Sequence, residues 1–133
     1  MIQEDEFLYK VKGCVYEVHK VLGPGLLESV YEKALVLELK NNGFIVERQV
    51  SVPIIYKGVD LDSELRIDLL VDKRLIIELK SVEELHPIHY KQLNTYLILM
   101  NKYKGLLVNF NAEFLDGDSC RIVYNKFASN KYI

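Results

Sequence analysis

An α/β fold with a central mixed sheet flanked by helices is predicted by three features of the sequence. Two stretches of helical periodicity come first, at residues 4–22 and 26–42, and three apolar segments joined by tight turns follow between residues 44 and 80. A further helical stretch, 86–101, then leads into a short continuous apolar run from Gly105 to Phe110. A three-stranded antiparallel meander, a crossover helix and a further strand make one sheet, and the helices cover it. The 133 residues, 50% of them hydrophobic, suit a single domain spanning 1–133 with an ample core.

In the first stretch Phe7, Val11, Cys14, Val15, Val18 and Leu22 recur at steps of three and four, the stripe of an amphipathic helix. His19 lies beside that stripe with no second ligand at helical spacing, and reads as a partly buried structural histidine. Gly23-Pro24-Gly25 breaks the helix. Leu26 to Asn42 resumes it through Leu27, Val30, Tyr31, Ala34 and Leu37, and Gly43 supplies the stop. Glu28 falls in the first turn, where it either complements the helix dipole or joins other carboxylates around a metal.

The meander places the charges. Residues 44–56 and 59–71 flank a two-residue Lys57-Gly58 turn, so Tyr56 faces Val59, Val50 pairs with Leu65 and Phe44 with Val71. Val46, Val52 and Ile54 then share one apolar face with odd positions of the second strand. Continuing that face onto the third strand sets Leu75, Ile77 and Leu79 opposite Val71, Leu69 and Ile67, across a three-residue loop, Asp72-Lys73-Arg74. The same register puts Asp68 directly opposite Glu78, with Lys80 two residues along and Arg66 opposite it. Two facing carboxylates are unfavourable unless a positive charge lies between them, and a divalent cation or a lysine would serve. A surface ladder of salt bridges would account for the same charges at little gain in stability.

Beyond the meander, Ser81 or a nearby acid can cap the next helix, with Pro87 in its first turn. His89, Gln92 and Tyr96 form a polar strip beside the apolar stripe of Leu93, Leu97 and Met100. Gln92 can hydrogen-bond a water or a phosphate with Tyr96 in support, or the strip is an ordinary border between core and solvent. Asp116-Gly117-Asp118 signals a turn, and Arg121 to Tyr124 a last edge strand. The tail, with Lys126, Phe127, Lys131 and Tyr132, reads as a loosely attached basic end or a small aromatic contact.

Net charge is −2, so no large nonspecific phosphate-binding surface is written into the composition, and any nucleic-acid affinity is local. Cys14 and Cys120 fit no metal or redox spacing and read as reduced thiols. No apolar run is long enough for a membrane span, and the acidic start is unlike a signal or transit peptide; a cytoplasmic location is expected.

Three motifs carry a resemblance. Gly25-Leu26-Leu27-Glu28-Ser29-Val30-Tyr31 reproduces a G-x-x-E-x-x-Y signature, Ile67-Asp68 with Glu78-Leu79-Lys80 looks like a D…E-x-K core, and Gln92-Leu93-Asn94-Thr95-Tyr96 is similar to a Q-x-x-x-Y element. Together they resemble the GxxExxY family of the PD-(D/E)XK superfamily, whose fold is called restriction-endonuclease-like. That resemblance implies a nuclease hydrolysing phosphodiester bonds, on DNA, with magnesium as cofactor and manganese as surrogate. It makes Asp68 and Glu78 the metal ligands, with the Leu79 carbonyl and Glu28 as further members. It makes Lys80 the residue that orients or activates the attacking water, and gives Gln92 and Tyr96 the substrate phosphate. Ile67 stands where the superfamily often has proline. A catalytically silent nucleic-acid-binding or accessory protein is the alternative, a structural partner a third, and a homodimer is compatible with the first.

Overall fold

The computed structural model describes residues 4–128, so Lys131 and Tyr132 of the tail lie outside the described residues. Helix α1, Glu4–Leu22, forms where periodicity predicts it and buries Phe7, Val11, Cys14, Val15 and Val18. Helix α2, Glu28–Asn41, starts after Leu27, because Gly25 takes a left-handed φ of 101° that a helix cannot continue through. Its buried face differs from the expected stripe: Leu27, Val30 and Leu37 are exposed, while Tyr31, Glu32, Leu35, Val36 and Leu39 are inside. Apolar residues ring this helix, so spacing alone did not choose a face. The choice is made by packing, above all the stacking of Tyr31 on Phe110, with centroids 4.6 Å apart and planes 7° from parallel.

The meander exists, but its first two strands are each broken in two. Strands β1 (Val46–Ser51) and β4 (Arg66–Val71) belong to the main sheet, and β2 (Ile55–Tyr56) and β3 (Val59–Asp60) form a separate two-stranded ribbon. Tyr56 pairs with Val59 as expected, yet Val50 pairs with Ile67 and Val46 with Val71, a shift of two residues from the expected register. Two features cause it. Pro53 has no N–H to offer a ladder, and the chain around Asp62, at a φ of 54°, inserts extra length on one side only. An even shift does not by itself exchange the two faces of the strands.

Strand β5, Leu75–Lys80, follows the three-residue loop and pairs with β4 through Val71–Leu75, Leu70–Ile76 and Leu69–Ile77, the predicted register. Helix α3, Pro87–Leu99, crosses over to β6, Lys104–Asn109, which runs parallel to β5, and β7, Cys120–Tyr124, closes the far edge. The five-stranded sheet therefore has the order β1-β4-β5-β6-β7. The cap of α3 is His86, whose N–H donates to His89 Nδ1 at 3.0 Å; Ser81 instead donates its hydroxyl to the Leu26 carbonyl.

Two cores sandwich the sheet. Leu69, Val71, Leu75, Ile77, Leu79, Leu106 and Val108 pack with α1 and α2, while Leu70, Ile76 and Leu107 pack with Leu93, Tyr96 and Leu97 of α3. The expected single apolar face is divided, since Val52 and Ile67 join the α3 core and Val46, Leu69 and Val71 join the other. The change of side falls at Gln49 and Asp68. On the α3 side, a Cβ at Gly105 would lie 2.9 Å from Leu93 Cδ1 and 3.1 Å from its Cγ, and Leu93 is fully buried. Gly105→Val is expected to destabilise the protein by about 1–3 kcal/mol, read from the denaturant midpoint at unchanged m-value.

Candidate active site

The β4–β5 ladder stops at the pair that would set Asp68 against Glu78, and there the side chains take over its hydrogen bonds. The Asp68 N–H donates to Glu78 Oε2 at 2.7 Å, and the Leu79 N–H donates to Asp68 Oδ2 at 2.8 Å. The strands fork around two carboxyl groups held side by side, each accepting from a backbone N–H of the opposite strand. Burial pushes both acids up, Glu78 to about 8, and the charge of Asp68 is the second cause at Glu78; the Asp68 N–H and the Lys80 ammonium pull the other way. The fork therefore favours a positive partner, whether a proton or a cation.

Leu79 adds a third oxygen. A strand residue directs its N–H and C=O to the same edge. The Leu79 N–H points at Asp68, and the Lys80 carbonyl turns the opposite way to accept from the Phe110 N–H at 2.9 Å. The Leu79 carbonyl thus faces the open fork. Leu79 and Asp68 line a cleft of about 170 Å³ with Glu28, Ser29, Glu32 and Gln49.

Helix α3 approaches the carboxyl pair through Tyr96. Tyr96 is buried, and burial together with the Glu78 and Asp68 charges pushes its hydroxyl up, with the neighbouring Gln92 side chain acting the other way. Lys80, half-buried, acts on both acids and on His89, whose imidazole is held below its ordinary range by burial, Lys80 and His86. Of the polar strip, Tyr96 is thus the residue that feels both acids, while Gln92 lies exposed and His89 half-buried beside it. Arg66 lies to one side, donating from Nη1 to the Gln49 carbonyl at 3.1 Å and to Ser51 Oγ at 3.0 Å.

The loop before α2 sets Glu28. Tyr31 donates its hydroxyl to the Gly23 carbonyl and accepts from the Leu26 N–H at 3.1 Å, and the Leu26 carbonyl is held by Ser81. His19, as expected, is structural, with Nε2 2.6 Å from the Ala112 carbonyl. These bonds fix the start of α2 against the end of β5 and leave Glu28 exposed at the rim of the cleft. Among the described residues no three His, Cys, Asp or Glu side chains are gathered as a metal cage, so Glu28 does not join Asp68 and Glu78 in one cluster. Two carboxylates and a carbonyl form an open donor set.

Sequence reasoning missed Glu32 and Gln49. Glu32 is only 7% exposed, takes Arg48 Nη2 at 2.7 Å on one oxygen and Gln49 Nε2 at 2.6 Å on the other, and lies close enough to raise Asp68 further. One signal was available: Arg48 stands between Val46 and Val50 on the supposed apolar face, where a charge requires a partner.

A family model described as the PD-(D/E)XK nuclease superfamily matches residues 5–122. No curated protein and no solved structure matches the chain.

Proposed function

The chain belongs to the PD-(D/E)XK nuclease superfamily, and from that premise we propose that it is a magnesium-dependent nuclease hydrolysing phosphodiester bonds of DNA. Within the superfamily, Gly25, Glu28 and Tyr31 support its placement in the GxxExxY group. The observation that carries the activity is the fork itself: two buried carboxyls, each accepting a backbone N–H of the opposite strand, a backbone carbonyl turned toward them, and Lys80 beside both.

The donor set fits the cation. Magnesium prefers hard oxygen ligands, uses one or two carboxylates, and keeps positions for water and substrate phosphate, so an open arrangement suits it better than a closed cage. Asp68, Glu78 and the Leu79 carbonyl would hold it, and Glu28 at the rim adds negative charge toward it without joining the pair. Bound there, the cation would supply Lewis acidity toward phosphate and lower the pKa of a water.

The chain's own groups do the rest. Lys80 directs its ammonium to the attacking water and offsets charge gathering on the phosphate oxygens. Gln92 positions a phosphate oxygen, with the Tyr96 hydroxyl beside it in support. Arg66 and His89 flank this path as further phosphate contacts. Two copies in a homodimer would offer one site to each strand of a duplex. Cys14 and Cys120 are free and buried, and unpaired thiols accord with a reducing, cytoplasmic setting; among the described residues no helix is long and apolar enough to cross a membrane.

The test is cleavage of end-labelled and circular DNA, single- and double-stranded, with RNA alongside, in millimolar Mg2+ or Mn2+. Cleavage of DNA that chelator abolishes is the expected result. A folded wild type that binds DNA and cuts none of these substrates would leave the accessory role in its place.

A further inference from the structure

Gln49 has a backbone its sequence does not explain. It sits inside β1 with φ at 48°, in the left-handed region, where a non-glycine residue in a strand is strained. The strain does not accommodate an insertion, because Arg48 pairs with Leu69 and Val50 with Ile67 in one unbroken register on either side. What it achieves is directional. Neighbouring strand residues normally point to opposite faces, yet Arg48 and Gln49 both reach the Glu32 carboxylate, at 2.7 Å and 2.6 Å. From there the same Gln49 amide lies 3.4 Å from Asp68 Oδ1, the oxygen not taken by the Leu79 N–H.

We propose that Gln49 and Glu32 are positioning residues for Asp68: the left-handed turn at Gln49 aims its amide between the two acids, and the Arg48–Glu32 pair anchors it there. This rests on reading Asp68 as a metal ligand. The acid end of the anchor is buried: Glu32 is enclosed in the α2 face and both of its oxygens are occupied by β1, while Arg48 and Gln49 reach it from the exposed part of the strand. Gln49 also keeps its backbone carbonyl out of the ladder by accepting from Arg66. The residue is thus held at both ends, with its amide left to fix the rotation of the Asp68 carboxylate. Such supporting hydrogen bonds commonly set metal affinity by about 10- to 100-fold.

Gln49→Gly separates this role from a structural one, because glycine accepts φ of 48° without strain and removes only the amide. Calorimetric titration with Mn2+ is expected to show about 10-fold weaker binding in Gln49→Gly and in Glu32→Ala. For Gln49→Gly, Tm without metal is expected to be unchanged or higher. Binding by Gln49→Gly equal to that of the wild type would overturn the proposal. A second readout needs no metal: the Gln49 side-chain amide resonances in a 15N–1H spectrum should shift on both Asp68→Ala and Glu32→Ala. If the wild type binds no Mn2+ but these resonances respond, the metal reading fails and the positioning contact stands. If they are indifferent to Asp68→Ala, the contact is not made and the proposal fails.

Discussion

Replacing Lys80 by methionine is expected to lower kcat for DNA hydrolysis by about 10²- to 10⁴-fold while Mn2+ affinity stays within a few-fold of wild type. The split follows from position. Lys80 lies beside the carboxyl pair on β5, near enough to bias both acids, but it is a cation and so cannot ligate a metal. Its contribution falls on the water and on charge developing at phosphorus, which differ between ground and transition state. Asp68→Asn should behave otherwise, losing hydrolysis and metal affinity together. Equal loss of metal binding in Lys80→Met and Asp68→Asn would mean that Lys80 maintains the fork rather than acting on substrate.

The metal-free protein is expected to lose stability as pH rises from 5 to 8.5. Glu78 has an ordinary value of 4.5 and is pushed up to about 8 in the folded chain, first by burial and then by the charge of Asp68. The folded state therefore holds that proton more tightly than the unfolded state. The resulting stabilisation is complete below about 4.5 and is lost as pH climbs through about 8. Each pKa unit corresponds to about 1.4 kcal/mol, so even half of this shift should lower Tm by roughly 5 °C or more. Glu78→Gln removes the titrating group, and its Tm should vary far less over the same range and exceed the wild-type value at pH 8.5. Adding Mn2+ at that pH should raise the wild-type Tm and leave Glu78→Gln nearly unmoved. A wild-type Tm that is flat with pH and insensitive to Mn2+ would count against the strained acid pair.

Much of this centre could be foreseen from the chain. Alternation along residues 65–80, with a three-residue loop between the strands, was enough to set Val71 opposite Leu75 and Leu69 opposite Ile77, which brings Asp68 and Glu78 to the end of that ladder. The α3 stripe likewise followed from spacing, with Leu93 and Leu97 buried and Gln92 exposed beside them, although Tyr96 lies inside that core rather than on its polar border. The first hairpin was displaced because a tight turn at Lys57-Gly58 fixes the register locally, whereas Pro53 and the loop at Asp62 decouple it from β1 and β4. The α2 face was legible only in part: Tyr31 and Ala34 of the expected stripe do pack inward, but Leu27, Val30 and Leu37 are exposed, and Glu32, Leu35, Val36 and Leu39 take the buried positions beside the Tyr31–Phe110 stack. Glu32 and Gln49 escaped notice for different reasons. Arg48 inside an apolar face hinted at a buried acid, but no residue type announces a left-handed glutamine within a strand.

The most direct measurement is calorimetric titration of Mn2+ into the wild type, Asp68→Asn and Glu78→Ala, each alone and with a DNA fragment present, since phosphate can complete the coordination shell. Binding by the wild type that is lost in both variants is the predicted result. Indistinguishable titrations for the three proteins, with and without DNA, would contradict a metal held in the fork between β4 and β5.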